Sequence, residues 1–145
     1  MSLFRPSARH VSIGVTILRV ATAAVFINHG WQKVFGFGFA GVTGAFTQMG
    51  APLPGITGPL VAVLECFGAI ALLLGFLTRP IALALAVDML GAIVIVQLKN
   101  GFSHYELEFM LLAAGLTLAL TGAGAASIDG VLADRRGGTA GAPRT

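Results

Sequence analysis

The sequence predicts an all-α membrane protein: a bundle of four transmembrane helices, with a short amphipathic helix in the first external loop and both termini cytoplasmic. Three observations carry this expectation. Only 10% of the 145 residues are charged and 56% are hydrophobic, with a mean hydropathy of +0.88, whereas ordinary soluble domains carry about 25% charged residues. Four apolar segments, 11–34, 57–77, 80–98 and 106–124, approach the roughly 20 residues a helix needs to cross the hydrocarbon core. Runs such as IALLLGFL and IALALAV also lack the alternation of a membrane β-barrel, and helices satisfy their own backbone where lipid offers no partner.

Taken in order, residues 1–10 form a polar arm ahead of the first span. Ala21-Thr22-Ala23 imitates a leader cleavage site, but Arg19 interrupts the apolar run before it, so the segment is expected to remain as a span. The first external loop, GFGFAGVTGAFTQMGAPLPGI, contains no charge. Within it Val42, Phe46 and Met49 recur at helical spacing opposite Thr43, Thr47 and Gln48, and Gly50 and Pro52 stop the pattern. The second connection is tight, with Thr78-Arg79-Pro80 ending one helix and starting the next at a proline. Residues 134–145, DRRGGTAGAPRT, are expected to be a disordered tail beyond a single membrane domain of residues 1–133.

The net charge of +3 marks topology rather than nucleic acid. Arg5, Arg9, Arg79, Arg135, Arg136 and Arg144 fall at the termini or the second connection, and Lys33 and Lys99 at the other two. That asymmetry fits the positive-inside rule with cytoplasmic termini. The lipid bilayer is the expected partner, and with so little extramembrane mass a partner protein or a homo-oligomer is expected beside it. Cys66 is the only cysteine, so no internal disulfide and no CxxC redox relay exist. Its bland reading is a small buried hydrophobe.

Ionisable residues inside the spans carry the functional expectations. Arg19, Glu65 and Asp88 lie near the expected midplane, where an unpaired charge costs about 2.5–3.5 kcal/mol. Arg19 and Glu65 are therefore expected to form a buried ion pair, either a clamp that fixes helix register or part of a site. Asp88 leaves two acids against one base, and Asp88 or Glu65 is a candidate proton carrier. Gly68 and Gly75 share a face with Glu65, and Gly91 with Asp88, which permits close helix approach.

A second cluster belongs to the outer half. Spacings of 3, 4, 3 and 4 place Arg19, Thr22, Phe26, His29 and Lys33 on one helical stripe. The stripe is polar, so it should face inward. The fourth span begins SHYELEF, bringing Glu106 and Glu108 to the same end; they lie about 200° apart on a helix, so one of the two faces inward. His29, Lys33, Trp31, Glu106 and Glu108 are the candidate ligand-binding residues, with headgroup snorkelling and interfacial aromatic belts as the plainer alternative. A donor pair facing a carboxylate suits the carbonyls of a quinone. No metal spacing, haem context or nucleotide-binding glycine loop is present, and no catalytic residue is assigned.

The motifs LRVATAAVFINHGWQKVFG, FTQMGAPLP, LECFGAIALLLGFLTRP and TGAGAASIDGVL give the chain a resemblance to the DoxX family of small bacterial four-helix membrane proteins, from Ile17 to Leu132. Arg19, Lys33, Glu65, Arg79 and Asp129 sit on the family pattern; Asp88 does not. The resemblance implies a multi-pass protein of the bacterial inner membrane in a family commonly described as oxidoreductases. Relatives are associated with thiosulfate:quinone oxidoreduction and with thiol-stress and superoxide-defence complexes, all dependent on partners. From the residues themselves no covalent cofactor is expected, and a quinone is the candidate carrier. Three readings stay open: a quinone-linked oxidoreductase subunit without its own redox centre, a non-enzymatic scaffold or assembly protein, and a small proton-coupled transporter. For Ser127-Ile128-Asp129 the simple reading is an N-cap followed by a first-turn acid on a short surface helix.

Overall fold

The first helix begins where the sequence supplies a cap: the Ser7 side chain accepts a hydrogen bond from the His10 N–H and opens α1 (Ala8–Trp31). In this computed structural model the described residues are 7–138. The ladder of α1 widens to a π-helical stretch, Gln32–Phe37, and is interrupted at Gly38 (φ 67°), where α2 (Gly38–Gln48) starts. After the turn at Gly50, α3 (Pro54–Val63) starts with proline in its first position, where the missing N–H is not needed. A second π-helical stretch, Leu64–Gly68, joins α3 to α4 (Ala69–Leu74). α5 (Thr78–Ala92) runs into a third, Ile93–Gln97, before a short 3₁₀ segment, Leu98–Asn100. α6 (Glu106–Thr121) and α7 (Ile128–Gly138) complete the chain.

Among the described residues there is no strand, and three helical stretches are long and apolar enough to cross a membrane: Ala8–Gln48, Pro54–Leu74 and Thr78–Asn100. The fourth expected span, 106–124, is helical over 16 residues, or about 24 Å at 1.5 Å per residue. The expected tail starts inside α7, which continues to Gly138; residues 139–145, like Arg5 and Arg144 of the topology argument, lie outside the described residues.

The surface is apolar where a soluble protein would be polar. Ile17, Leu60, Val87 and Met110 are each more than 60% exposed, which suits a helical protein solvated by lipid. Inside, Ala23, Phe26, Leu72, Ala82, Leu85, Met89, Leu111 and Leu118 form one core. α1 packs against α4, the Leu64–Gly68 stretch and α6, while α5 packs most extensively against α6.

Small residues set these approaches. A Cβ on Gly30 would stand 2.2 Å from the Cys66 backbone nitrogen, so glycine lets α1 touch the second helical stretch backbone to backbone. This contact fixes the register: Gly30 is level with Glu65 and Cys66, and Arg19 is level with Gly75.

Candidate functional site

That register overturns the expected Arg19–Glu65 pair. Arg19 and Glu65 are both 2% exposed, but the carboxylate of Glu65 is paired with Lys33. Antiparallel packing places Glu65 level with Gly30, about one turn from Lys33, while Arg19 lies eleven residues back from Gly30 along α1, about 16 Å at 1.5 Å per residue. No side chain bridges that separation.

Arg19 instead serves the opposite end. Its two terminal nitrogens donate to the carbonyls of Ala123 and, at 3.0 Å, Ala126 in the connection between α6 and α7; its Nε has no partner. Thr16 Oγ1 donates to the Ala125 carbonyl at 2.8 Å, so one face of α1 holds the connection. Gly75 (φ 68°) ends α4, and a Cβ there would come within 2.6 Å of an Arg19 nitrogen. Its carbonyl accepts the Asp129 N–H at 2.9 Å.

Ser127 caps α7 by accepting the Gly130 N–H. Asp129, expected only as a first-turn acid, reaches further: its two carboxylate oxygens accept the N–H groups of Leu77 and Thr78, each at 2.9 Å, and cap α5. Burial alone would raise its pKa, but these hydrogen bonds and the nearby Arg19 charge prevail and hold it below the usual carboxylate value. Leu77 (φ 49°) and Ala126 (φ 50°) take the left-handed conformation here, at a cost on the order of 1 kcal/mol each, and both are anchored through their backbone by this network. The closing motif TGAGAASIDG is thus a latch over one end of the bundle.

At the other end a cavity of about 370 Å³ gathers most of the remaining candidates. Phe26, His29 and Lys33 line it from α1 and the stretch after it, Glu65 from the second helical stretch, Asp88 from α5, and Glu108 from α6. Phe46 and Met49, at the end of α2, help to close it with Val61, Met89, Ile95 and Leu111. Of the two fourth-helix acids, Glu108 is half-buried on the cavity wall and Glu106 is exposed outside it. Trp31 also lies outside, 55% exposed and stacked near Phe35 with ring centroids 4.3 Å apart. His29 is exposed at the cavity's edge.

All three π-helical stretches contribute to this wall, through Lys33, Glu65 and Ile95–Gln97. Such widened turns re-aim side chains and recur at functional sites. Sequence reasoning missed them, and with them Gln97. Asp88 completes the polar group: it interacts with Glu65 through a side-chain hydrogen bond and feels the Lys33 charge, while its Oδ2 is buried without a partner. Cys66 is buried and unpaired. Among the described residues no group of three His, Cys, Asp or Glu side chains is placed to hold a metal. The arrangement therefore suits a ligand with an apolar body and a polar, hydrogen-bonding head.

Comparison with known proteins finds relatives of this chain. The family model described as DoxX matches residues 14–98. The chain is 39% identical over 124 residues to Inner membrane protein YqjF of Escherichia coli (strain K12), covering 83% of this chain and 92% of that protein. It is 33% identical over 119 residues to "Putative oxidoreductase CatD" of Bacillus subtilis (strain 168), covering 81% of this chain and 85% of the relative. Inner membrane protein YphA of Escherichia coli (strain K12) is 32% identical over 127 residues, covering 78% and 86%. No solved structure matches.

Proposed function

The chain belongs to the DoxX family, and from that premise we propose that it is a redox subunit of the bacterial inner membrane. It binds a quinone, or a similar lipid-soluble carrier, at the Lys33–Glu65–Asp88 wall, and a partner protein exchanges electrons with the bound carrier. One observation carries the reading: an ion pair and two further carboxyls, Asp88 and Glu108, are collected on the wall of a mostly apolar cavity of about 370 Å³, within the range of small-molecule sites.

Phe26, Phe46 and Met89 receive the ring and tail, and Lys33 with His29 supplies donors to the head. Conversion of quinone to quinol takes up two electrons and two protons; the partner handles the electrons, and the carboxyls Glu65 and Asp88 handle protons. In this reading α6, packed on α5 through Gly115 against Ala82 and Ala86, is the fourth span, and α2 is the interfacial helix. The arginines at Arg9, Arg79, Arg135 and Arg136 support an orientation with the latched end in the cytoplasm. The names of two relatives as inner membrane proteins and of one as an oxidoreductase support the assignment.

The test is mass spectrometry of the lipids that copurify with the protein in mild detergent. Quinone should accompany the wild type and be lost from Lys33→Ala that elutes as a folded species. Unchanged quinone content in that variant would overturn the site.

A further inference from the structure

The cavity wall is richer in acceptors than in donors. Three carboxyls, Glu65, Asp88 and Glu108, face it against a single ammonium, Lys33, which places one of its three N–H donors on Glu65. His29 stands exposed at the rim. Of the three acids, Asp88 is the one with a buried oxygen left without a partner: it interacts with Glu65, and its Oδ2 meets no donor.

Whether or not a proton lies between Asp88 and Glu65, the outer oxygen remains an acceptor. It is a carboxylate oxygen in one case and the carbonyl of an acid in the other. This oxygen is closed off from open space, but Asp88 lines the cavity and the carboxyl torsion of aspartate is broad, so rotation of the carboxyl on ligand entry can turn the oxygen toward it. A carbonyl-only ligand head would set acceptor against acceptor there and leave the buried oxygen unsatisfied, whereas a hydroxyl would satisfy it.

We propose that the cavity selects the hydroxyl-bearing, reduced form of its aromatic carrier, a quinol over a quinone, through a hydrogen bond from the ligand hydroxyl to Asp88. The inference rests on the quinone-site reading above and adds which redox form the site holds. Asp88 is then the residue that determines specificity, a role that the family pattern does not assign to it.

The experiment compares three probes on the full chain in detergent: a decyl-substituted benzoquinone, its hydroquinone kept reduced without oxygen, and the bis-methyl ether of that hydroquinone. Equilibrium dissociation constants should favour the hydroquinone over both other forms by about tenfold or more, the scale of one hydrogen bond to a charged group. In Asp88→Ala the preference should shrink to within about twofold, and Asp88→Asn, which keeps an acceptor oxygen, should retain part of it. Equal binding of hydroquinone and diether by the wild type overturns the proposal without any variant needing to fold. A preference that survives in Asp88→Ala overturns it as well. If none of the three probes binds, both this inference and the quinone reading fail; if all bind equally, the quinone reading stands and this one falls.

Discussion

At one end of the bundle Arg19 donates to the main-chain carbonyls of Ala123 and Ala126, and at the other Lys33 meets the side chain of Glu65 on the wall of a cavity. Both cations come from α1 and the stretch that continues it, on one inward stripe, yet their surroundings differ in kind. At the Arg19 end the charged groups are taken up by protein, the guanidinium by carbonyls against the Gly75 turn and Asp129 by the α5 N–H groups, beside an open cleft of about 390 Å³ lined by Thr78, Arg79 and Gly122. The Lys33 end keeps open space, a carboxyl oxygen without a partner and a half-buried acid on the facing helix. An ionisable residue inside a membrane protein therefore cannot be read as a site from its depth alone; what it donates to decides between latch and site.

Substitutions can break this contrast, and the latch should yield the largest losses of stability. Arg19→Ala removes two charge-assisted hydrogen bonds and leaves carbonyls stranded, so a cost of about 3–5 kcal/mol is expected. Thermal unfolding in detergent would show it, with poor accumulation in membranes. Gly75→Ala comes next. It places a Cβ at φ 68° against Ser127 and Arg19, and about 1–3 kcal/mol should be lost in the same assay.

Asp129→Ala removes the α5 cap and should cost about 1 kcal/mol. Because folding holds the Asp129 carboxyl below its usual value, its stabilisation is complete above the unfolded-state pKa of about 4. It disappears as pH falls through the lower folded-state value. The difference in unfolding temperature between wild type and Asp129→Asn should therefore narrow on acidification; a constant difference would remove the pH-linked part of the latch.

Much of the architecture was legible in composition and periodicity, because the need to satisfy backbone in lipid leaves few alternatives. The stripe through Arg19, Thr22, Phe26 and Lys33 does turn inward, with His29 exposed at the cavity's edge, since burial against the other helices spares the polar members contact with lipid. Partnership was not legible. Arg19 and Glu65 both sit in apolar runs, but whether they meet depends on helix register, and that is set by the backbone contact of Gly30 with Cys66. A single glycine in NHGW gives no sign of which residue it will face. The π-helical stretches were equally hidden, for QKVFGF, LECFG and IVIVQ have compositions that suit an ordinary helix. The glycine-rich TGAGAASIDG did carry a signal, but its bonds to Arg19, Leu77 and Thr78 belong to tertiary structure.

The most direct test replaces the cavity pair with apolar residues of similar length, Lys33→Met together with Glu65→Leu. Exchanging a buried ion pair for hydrophobic packing is commonly neutral or stabilising, so the unfolding temperature of the double variant should equal or exceed that of wild type while copurifying quinone falls to background. A double variant that keeps its quinone, or one that unfolds as readily as Arg19→Ala, would contradict the assignment of this end as the site and the other as the latch.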